Sequence, residues 1–376
     1  MPKENQKNGK FPLRKIKEGN AEIFIPEEQK ISKKLLVFYN PVMKFNRDTT
    51  ILLLKQFPPL QLCDPLAGTG IRSIRFAKEL KNTSITANDI NKKAGALIKK
   101  NMKQNKVKFI VKNQDANLLL LESSGFDFID LDVFGSPNFL LDSAIRRLSR
   151  RGLLALTATD TAPLCGTYPD ACRRKYWANP LRNELMHEVG LRILIRKAQL
   201  IGTQYDRALT PVFSYSKDHY MRAILSSEKS KHACDAILKQ HQYFLYCKNC
   251  LDQETSQTNN KICEECKTPM VVAGPFWTGQ LNDKELVTKM AKEKIEDKET
   301  KKFLEMLSEE SQQNNVGFID LHTLSRKTKR NIPKMEDAIK KLKDIGFTAV
   351  RTHFSQYAVK TNATAKQFTR LFAEHQ

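Results

Sequence analysis

The 376-residue chain contains no apolar run approaching the roughly 18 consecutive residues that a membrane-spanning helix requires, which excludes that class. The polar, basic segment Met1–Lys17 lacks the apolar core of a secretory signal, so the expected location is the cytoplasm. Cysteine is sparse: four of the eight lie in two CxxC pairs and the others are scattered. That pattern argues for a reducing compartment and one metal site rather than a disulfide scaffold. Acidic residues are also under-represented, 41 against 63 Lys and Arg, for a net charge of +22. The excess is uneven, +17 over residues 1–230 and +5 over residues 231–376. A polyanion is the natural partner of such a surface, because neutralised phosphates release counterions; the plainer alternative is a soluble, charged exterior. Nothing in the sequence calls for a membrane or an obligate protein partner.

Apolar strand-like runs alternate with helical periodicity through the first half of the chain. Ala21–Ile25 alternates as a short strand within Lys17–Pro26, and Thr49–Phe57 reads as a helix stopped by Pro58-Pro59. Strands are predicted at 60–63, 84–87, 109–111, 126–131 and 153–157, with helices at 71–80, 92–105, 137–148 and 183–201. Segments 212–215 and 222–225 suggest a closing hairpin. This order predicts a parallel, doubly wound α/β sheet. Asp283–Gln312 is charged and helical, and from Val316 the order is strand, helix, turn, helix, strand. That order fits a small winged-helix-like module, although many small α+β domains share it.

The chemistry is concentrated where strands end. Asp64-Pro65-Leu66-Ala67-Gly68-Thr69-Gly70 sets a carboxylate before a glycine turn that opens a helix, allowing close backbone approach to a ligand. Asp89 ends the next strand, where an acid takes ribose hydroxyls, and Asp115-Ala116 follows the third, where an adenine edge would lie. Each of these acids also has a reading as a turn cap. Asp130 and Asp132 share one side of the fourth strand, and Asp132, beside Phe134, suits a group that holds a flat base and accepts a proton. Its alternative is a cap for the next helix. Asp160 ends the following strand similarly. In Cys247-x2-Cys250 and Cys263-x2-Cys266, separated by twelve residues, two knuckles supply four thiolates for a closed, structural zinc.

These motifs, with Phe38-Tyr39-Asn40-Pro41, Asn46-Arg47-Asp48, Ala162-Pro163-Leu164-Cys165-Gly166, Leu185-Met186-His187-Glu188-Val189-Gly190, Lys217-Asp218-His219-Tyr220 and Arg351-Thr352-His353-Phe354-Ser355, closely resemble the tRNA (guanine-26) N2-dimethyltransferase family over about residues 17–371. The resemblance implies a Rossmann-like class I methyltransferase sheet and a smaller α+β, winged-helix-like C-terminal domain carrying a zinc-ribbon insert. It implies S-adenosylmethionine as cofactor and tRNA as partner. Arg47, Gly68, Arg72, Asp89, Asp115 and Ala116 would then hold the cofactor, and Asp132 would be catalytic. The expected domains are 1–230 for methyl transfer and 231–376 for tRNA binding, with the ribbon at 244–270. One departure is local: the family usually carries Asp-Pro-Phe-Gly where this chain has Asp132-Val133-Phe134-Gly135, so a fixed φ and a missing donor give way to a freer backbone. The expected reaction is methylation of guanine N2 at position 26. The alternatives are another tRNA guanine, or an RNA-binding zinc protein without turnover. Glu184, His187 and Glu188 lie at helical spacing and read as a buried hydrogen-bonded cluster rather than metal ligands. The run 326–330 is either a solvated turn or a contact to RNA backbone.

Overall fold

The computed structural model describes residues 12–27, 37–331 and 333–371; the basic tail Met1–Lys10 lies outside them. The chain forms two compact units, one ending at Asp130 and the other beginning at Leu131.

In the first unit, the single strand expected near residue 20 is an antiparallel hairpin, β1 (Leu13–Glu18) and β2 (Ala21–Pro26). Helix α1 spans Lys44–Leu54, starting earlier than the apolar run indicated, because Asn40 caps a preceding 3-10 turn that leads straight into it. Then come β3 (Gln61–Asp64), α2 (Ile71–Glu79), β4 (Ser84–Asn88), α3 (Lys92–Asn105), β5 (Ile110–Lys112), α4 (Ala116–Glu122) and β6 (Phe126–Asp132). β3 pairs in parallel with β4 and β6, and β4 with β5, as the alternation predicted. Phe128, Ile129, Asp130 and Leu131 are all fully buried, so β6 is covered on both faces, as parallel strands are. The hairpin packs Ala21, Ile23 and Ile25 against Ile71 and Ile74 of α2. Its β2 edge would otherwise leave peptide groups unpaired. Asn101 and Asn105, one helical turn apart on α3, bond the backbone of Phe24 and Glu22, each through both amide atoms.

The second unit continues with α5 (Leu141–Arg146), preceded by a 3-10 turn at Pro137–Leu140, then β7 (Leu148–Ala158), α6 (Thr161–Leu164), α7 (Pro169–Tyr176) and α8 (Met186–Thr203). The expected closing hairpin is β8 (Arg207–Lys217) and β9 (Tyr220–Lys229), more than twice as long as its apolar cores indicated. The main sheet has the strand order β5-β4-β3-β6-β7-β9-β8. Helix α9 (Lys231–Lys239) leads to β10 (His241–Tyr246), β11 (Gln253–Ser256) and β12 (Val271–Trp277), a separate antiparallel sheet that carries the paired cysteines. The charged helical stretch is two helices, α10 (Lys284–Lys292) and α11 (Lys298–Glu310), because Asp297 starts a new helix by accepting the Thr300 N–H. The last module is β13 (Ile319–Asp320), α12 (Leu321–Thr328), α13 (Met335–Asp344), β14 (Ala349–Thr352), β15 (Ser355–Thr361) and α14 (Ala365–Leu371). Its sheet order β13-β15-β14 gives the winged-helix-like arrangement. Among the described residues no helix is long and apolar enough to cross a membrane.

Candidate active site

At the carboxyl end of β3, Gly68 has φ +53°, and a Cβ there would lie 2.6 Å from the Phe38 carbonyl oxygen, so only glycine fits the turn. The Gly68 N–H donates to Asp89 Oδ2 at 2.9 Å, and the Asn91 N–H donates to Oδ1 at 2.9 Å. Asp89 is therefore locked at the end of β4 with lone pairs still available on both oxygens. Burial raises its carboxyl pKa, against the two backbone hydrogen bonds. Beside it Asn88, fully buried, donates to the carbonyls of Pro65 and Gln114 and accepts the Gln114 N–H, tying three strand ends together. Asp115 caps α4 through one oxygen, accepting from the N–H groups of Asn117 and Leu118. The capping reading of these acids is thus realised, and in each case it fixes a carboxylate at a strand end.

Arg47 and Arg72 are both buried and both face carboxylates. Arg47 forms a two-pronged pair with Glu18, each contact 2.6 Å, and Arg72 lies 2.8 Å from Asp130 and 3.0 Å from Asn46 Oδ1. Arg75 also reaches Glu18, at 3.0 Å. Burial opposes ionisation of Glu18, and the Arg47 and Arg75 guanidiniums outweigh it, holding the carboxyl below its usual range. Tyr39 donates its hydroxyl to the same carboxylate at 3.1 Å, and burial together with the Glu18 charge pushes its pKa up to about 12. The motifs around Tyr39 and Asn46 thus brace one charged cluster. Glu18 carried no sequence signal, because its partners lie 29 and 57 residues away.

In the second unit, two strand-end loops are clamped together. The Gly135 N–H donates to Thr159 Oγ1 at 2.6 Å, and the Thr159 N–H returns a bond to the Gly135 carbonyl at 3.0 Å. Asp132 is half-buried just before this clamp, and Val133 after it is buried. The alternative of Asp132 as a helix cap is not realised, since Ser136 caps the 3-10 turn that follows. Nor does Asp160 cap α6: it accepts from the Tyr176 hydroxyl at 2.6 Å and from Lys175 Nζ at 3.1 Å. Tyr176, fully buried, also lies 3.0 Å from Ser136 Oγ, and burial and then the Asp160 charge raise its pKa far above the usual tyrosine value. Sequence reasoning missed Tyr176 because α7 reaches the strand ends only through the fold. Tyr220 stands near enough to feel the Asp132 charge, which adds to the larger effects of burial and Tyr215 in raising its pKa. Four large aromatic side chains in this segment are about half exposed or more: Phe134 at 51%, Phe139 at 60%, Tyr168 at 60% and Trp177 at 48%. Exposed rings among Arg173, Arg174 and Lys175 suit stacking of nucleic-acid bases.

The four paired cysteines converge, with all Sγ atoms within 4.8 Å of one another. The two knuckles have matching backbones: Leu251 N–H bonds Cys247 O and Lys267 N–H bonds Cys263 O, and Leu251 and Lys267 both have positive φ. Thiolates about 2.3 Å from a tetrahedral zinc stand about 3.8 Å apart, so the cluster is compatible with a closed structural zinc site. Glu184, His187 and Glu188 make no such cluster. Glu184 accepts from the Tyr246 hydroxyl, His187 contacts Cys165 Sγ at 3.6 Å, and Glu188 binds Arg192 and Lys360.

The family model described as N2,N2-dimethylguanosine tRNA methyltransferase matches residues 19–373. A tRNA (guanine(26)-N(2)/guanine(27)-N(2))-dimethyltransferase of Aquifex aeolicus is 39% identical over 96% of this chain and 95% of its own. A tRNA (guanine(26)-N(2))-dimethyltransferase of Methanococcus maripaludis is 38% identical over 96% of this chain and 98% of its own. Among solved structures, Trm1 from Pyrococcus horikoshii in complex with S-adenosyl-L-methionine is 36% identical, with a TM-score of 0.86 over 96% of this chain and 99% of that one. Matched by that model and by these relatives over nearly all of its residues, the chain belongs to the N2,N2-dimethylguanosine tRNA methyltransferase family.

Proposed function

We propose that this chain transfers methyl groups from S-adenosylmethionine to the exocyclic N2 of guanine in tRNA, at position 26, giving N2,N2-dimethylguanosine. The observation that carries this reading is near-full-length identity of 38–39% to enzymes named for that reaction. A second site, guanine 27, is favoured by the Aquifex aeolicus relative, whose name includes it. The expected setting is the cytoplasm. Methyl transfer is assigned to residues 1–230 and tRNA binding to 231–376.

The residues present suit the cofactor: the Gly68 turn admits no Cβ, and Asp89 keeps lone pairs for two ribose hydroxyls. Asp115 has one oxygen left over from capping, and with the Ala116 N–H it can pair with an adenine edge. Arg47 and Arg72, already committed to Glu18 and Asp130, act chiefly by holding α1, α2 and β6 around that site. Bound S-adenosylmethionine supplies a methyl group activated by its sulfonium. Guanine N2 is a poor nucleophile because its lone pair is delocalised into the ring. Asp132 accepts the N2 proton as the N–C bond forms and the C–S bond breaks, leaving a neutral thioether and a protonated carboxyl. Alignment of nitrogen, methyl carbon and sulfur supplies much of the remaining acceleration. The guanine must leave its stack to reach Asp132, and Phe134 is exposed to receive it.

Mass spectrometry of nucleosides from a tRNA transcript treated with enzyme and cofactor tests the reaction. The expected product is N2,N2-dimethylguanosine, lost when guanine 26 is replaced; a transcript left unmodified, or modified at an atom other than N2, rules the reading out. Asp89→Ala tests the cofactor site. Losing charge-assisted bonds to the ribose should weaken S-adenosylhomocysteine binding by on the order of 1.5–3 kcal/mol in calorimetric titration. Its tRNA affinity should remain near wild type. An unchanged S-adenosylhomocysteine affinity would remove Asp89 from the site.

A further inference from the structure

The first zinc knuckle forms one wall of an open groove of about 540 Å³ in the second unit. Four cations line it from three separate segments: Lys248 inside the knuckle, Arg182 on the loop before α8, and Arg326 and Lys327 in the last turn of α12. All four are exposed, and among the described residues no Asp or Glu lines the groove. Among the described residues, none of the four is paired with a carboxylate, although surface cations elsewhere on the unit are, such as Lys366 with Glu265 and Lys261 with Glu254. Glu184, which does not line the groove, accepts from the Tyr246 hydroxyl. The walls are fixed. Leu251 closes the knuckle through its bond to Cys247 O, and the loop carrying Arg182 is tied to β12 by two backbone bonds between Asn179 and Gly274, 2.8 and 2.7 Å.

We propose that this groove seats the sugar-phosphate backbone of the RNA substrate, and that the cysteine knuckle serves to hold Lys248 against it. The inference rests on the tRNA reading above and names where that partner is gripped. Four cations free of carboxylate partners, on three walls, concentrate positive potential in a cleft, where it attracts an extended polyanion more strongly than the same charges spread over a convex face. The occupant is backbone rather than base. Among the described residues the one aromatic ring in the lining, Tyr246, is buried with its hydroxyl committed, so it offers no face for stacking. Recognition here is of charge and spacing, independent of sequence.

The test compares two triple variants of the full-length protein. One carries Lys248→Gln, Arg326→Gln and Lys327→Gln. The other removes three exposed lysines away from the groove, Lys289→Gln, Lys294→Gln and Lys302→Gln. Affinity for a tRNA transcript is measured across a range of KCl concentrations. Each phosphate left without its cation should lower the slope of log affinity against log salt by about 0.7–0.9. The groove variant should lose roughly two of those increments and at least tenfold in affinity near physiological salt, while the control triple changes little. S-adenosylhomocysteine affinity, zinc content and the single-turnover methylation rate at saturating tRNA should stay at wild-type values in both. Equal tRNA affinities and salt slopes for the two triples overturn the proposal. So does retained tRNA affinity with lost binding of poly-glutamate, which would mark the groove as a seat for an acidic protein. A wild-type enzyme that fails to methylate tRNA at all refutes the parent reading instead, so the two failures are separable.

Discussion

Replacing Asp132 by asparagine should lower the single-turnover rate of methyl transfer by about 10²–10⁴-fold, while tRNA and S-adenosylhomocysteine bind as before. The substitution keeps the side chain's size and an oxygen that accepts a hydrogen bond, but that oxygen does not take up a proton as a carboxylate does. On the barrier scale this is about 2.7–5.4 kcal/mol, more than a positioning hydrogen bond contributes. The loop after Asp132 is held by the reciprocal Gly135–Thr159 bonds, which the substitution leaves in place. A single-turnover rate reduced less than tenfold would assign Asp132 to positioning and leave the proton acceptor to be found elsewhere.

The second large effect is on stability. Glu188 is fully buried on α8 and gathers three donor groups: Arg192 at 2.8 Å, Lys360 from β15 through both oxygens at 3.1 and 3.0 Å, and the Gly317 N–H at 3.1 Å. Glu188→Ala strips both cations of that partner in a buried setting, which should cost about 3–5 kcal/mol. A domain is stable by only about 5–15 kcal/mol, so the loss should be plain in a urea unfolding curve. Glu188→Gln, which keeps the volume and accepts from some of these donors, should recover part of it. A midpoint unchanged in the alanine variant would show that the network contributes no net stability.

The same network sets an acid limit. Burial opposes ionisation of Glu310, and His353 outweighs it, holding the carboxyl at about 2 against an unperturbed 4.5. Glu188 is likewise held low, its burial outweighed by Lys360 and Arg192. A depressed carboxyl contributes stability that is complete above its unfolded value and is lost as pH falls through the folded one. Wild-type stability should therefore decline as pH drops from about 4.5 toward 2, which urea unfolding midpoints measured across that range would show. His353, within the motif at residues 351–355, takes part in this network: its ring lies 2.6 Å from Glu310, beside the Thr352 hydroxyl that donates to the same carboxylate.

Local pattern was enough to reveal the parallel part of the sheet, because alternation of apolar strands and helices is written at short range and each candidate acid falls where a strand ends. Asp89, Asp115 and Asp132 could be singled out in this way, and so could Cys247, Cys250, Cys263 and Cys266, whose spacing alone prescribes two knuckles. The wing of the last module was only partly visible. β15 has exposed residues at Gln356 and Tyr357 before its buried half, so its apolar pattern is short. What the tertiary structure alone decided is which charges meet. Glu18 lies 57 residues from Arg75, Tyr176 is 40 residues from Ser136, and Lys360 is 172 residues from Glu188. Each contact is made by a single side chain from a distant element, and no periodicity records it. Arg47 and Arg72 show the consequence: the family resemblance made them candidates for the site, while the carboxylates facing them come from other elements, Glu18 on β1 and Asp130 on β6. Residue type and local spacing determined the strand-end acids and the thiolate knuckles, since those arise within a few bonds of backbone geometry. The buried ion pairs and the cationic groove depend on packing between elements far apart in the chain, and only the folded arrangement could specify them.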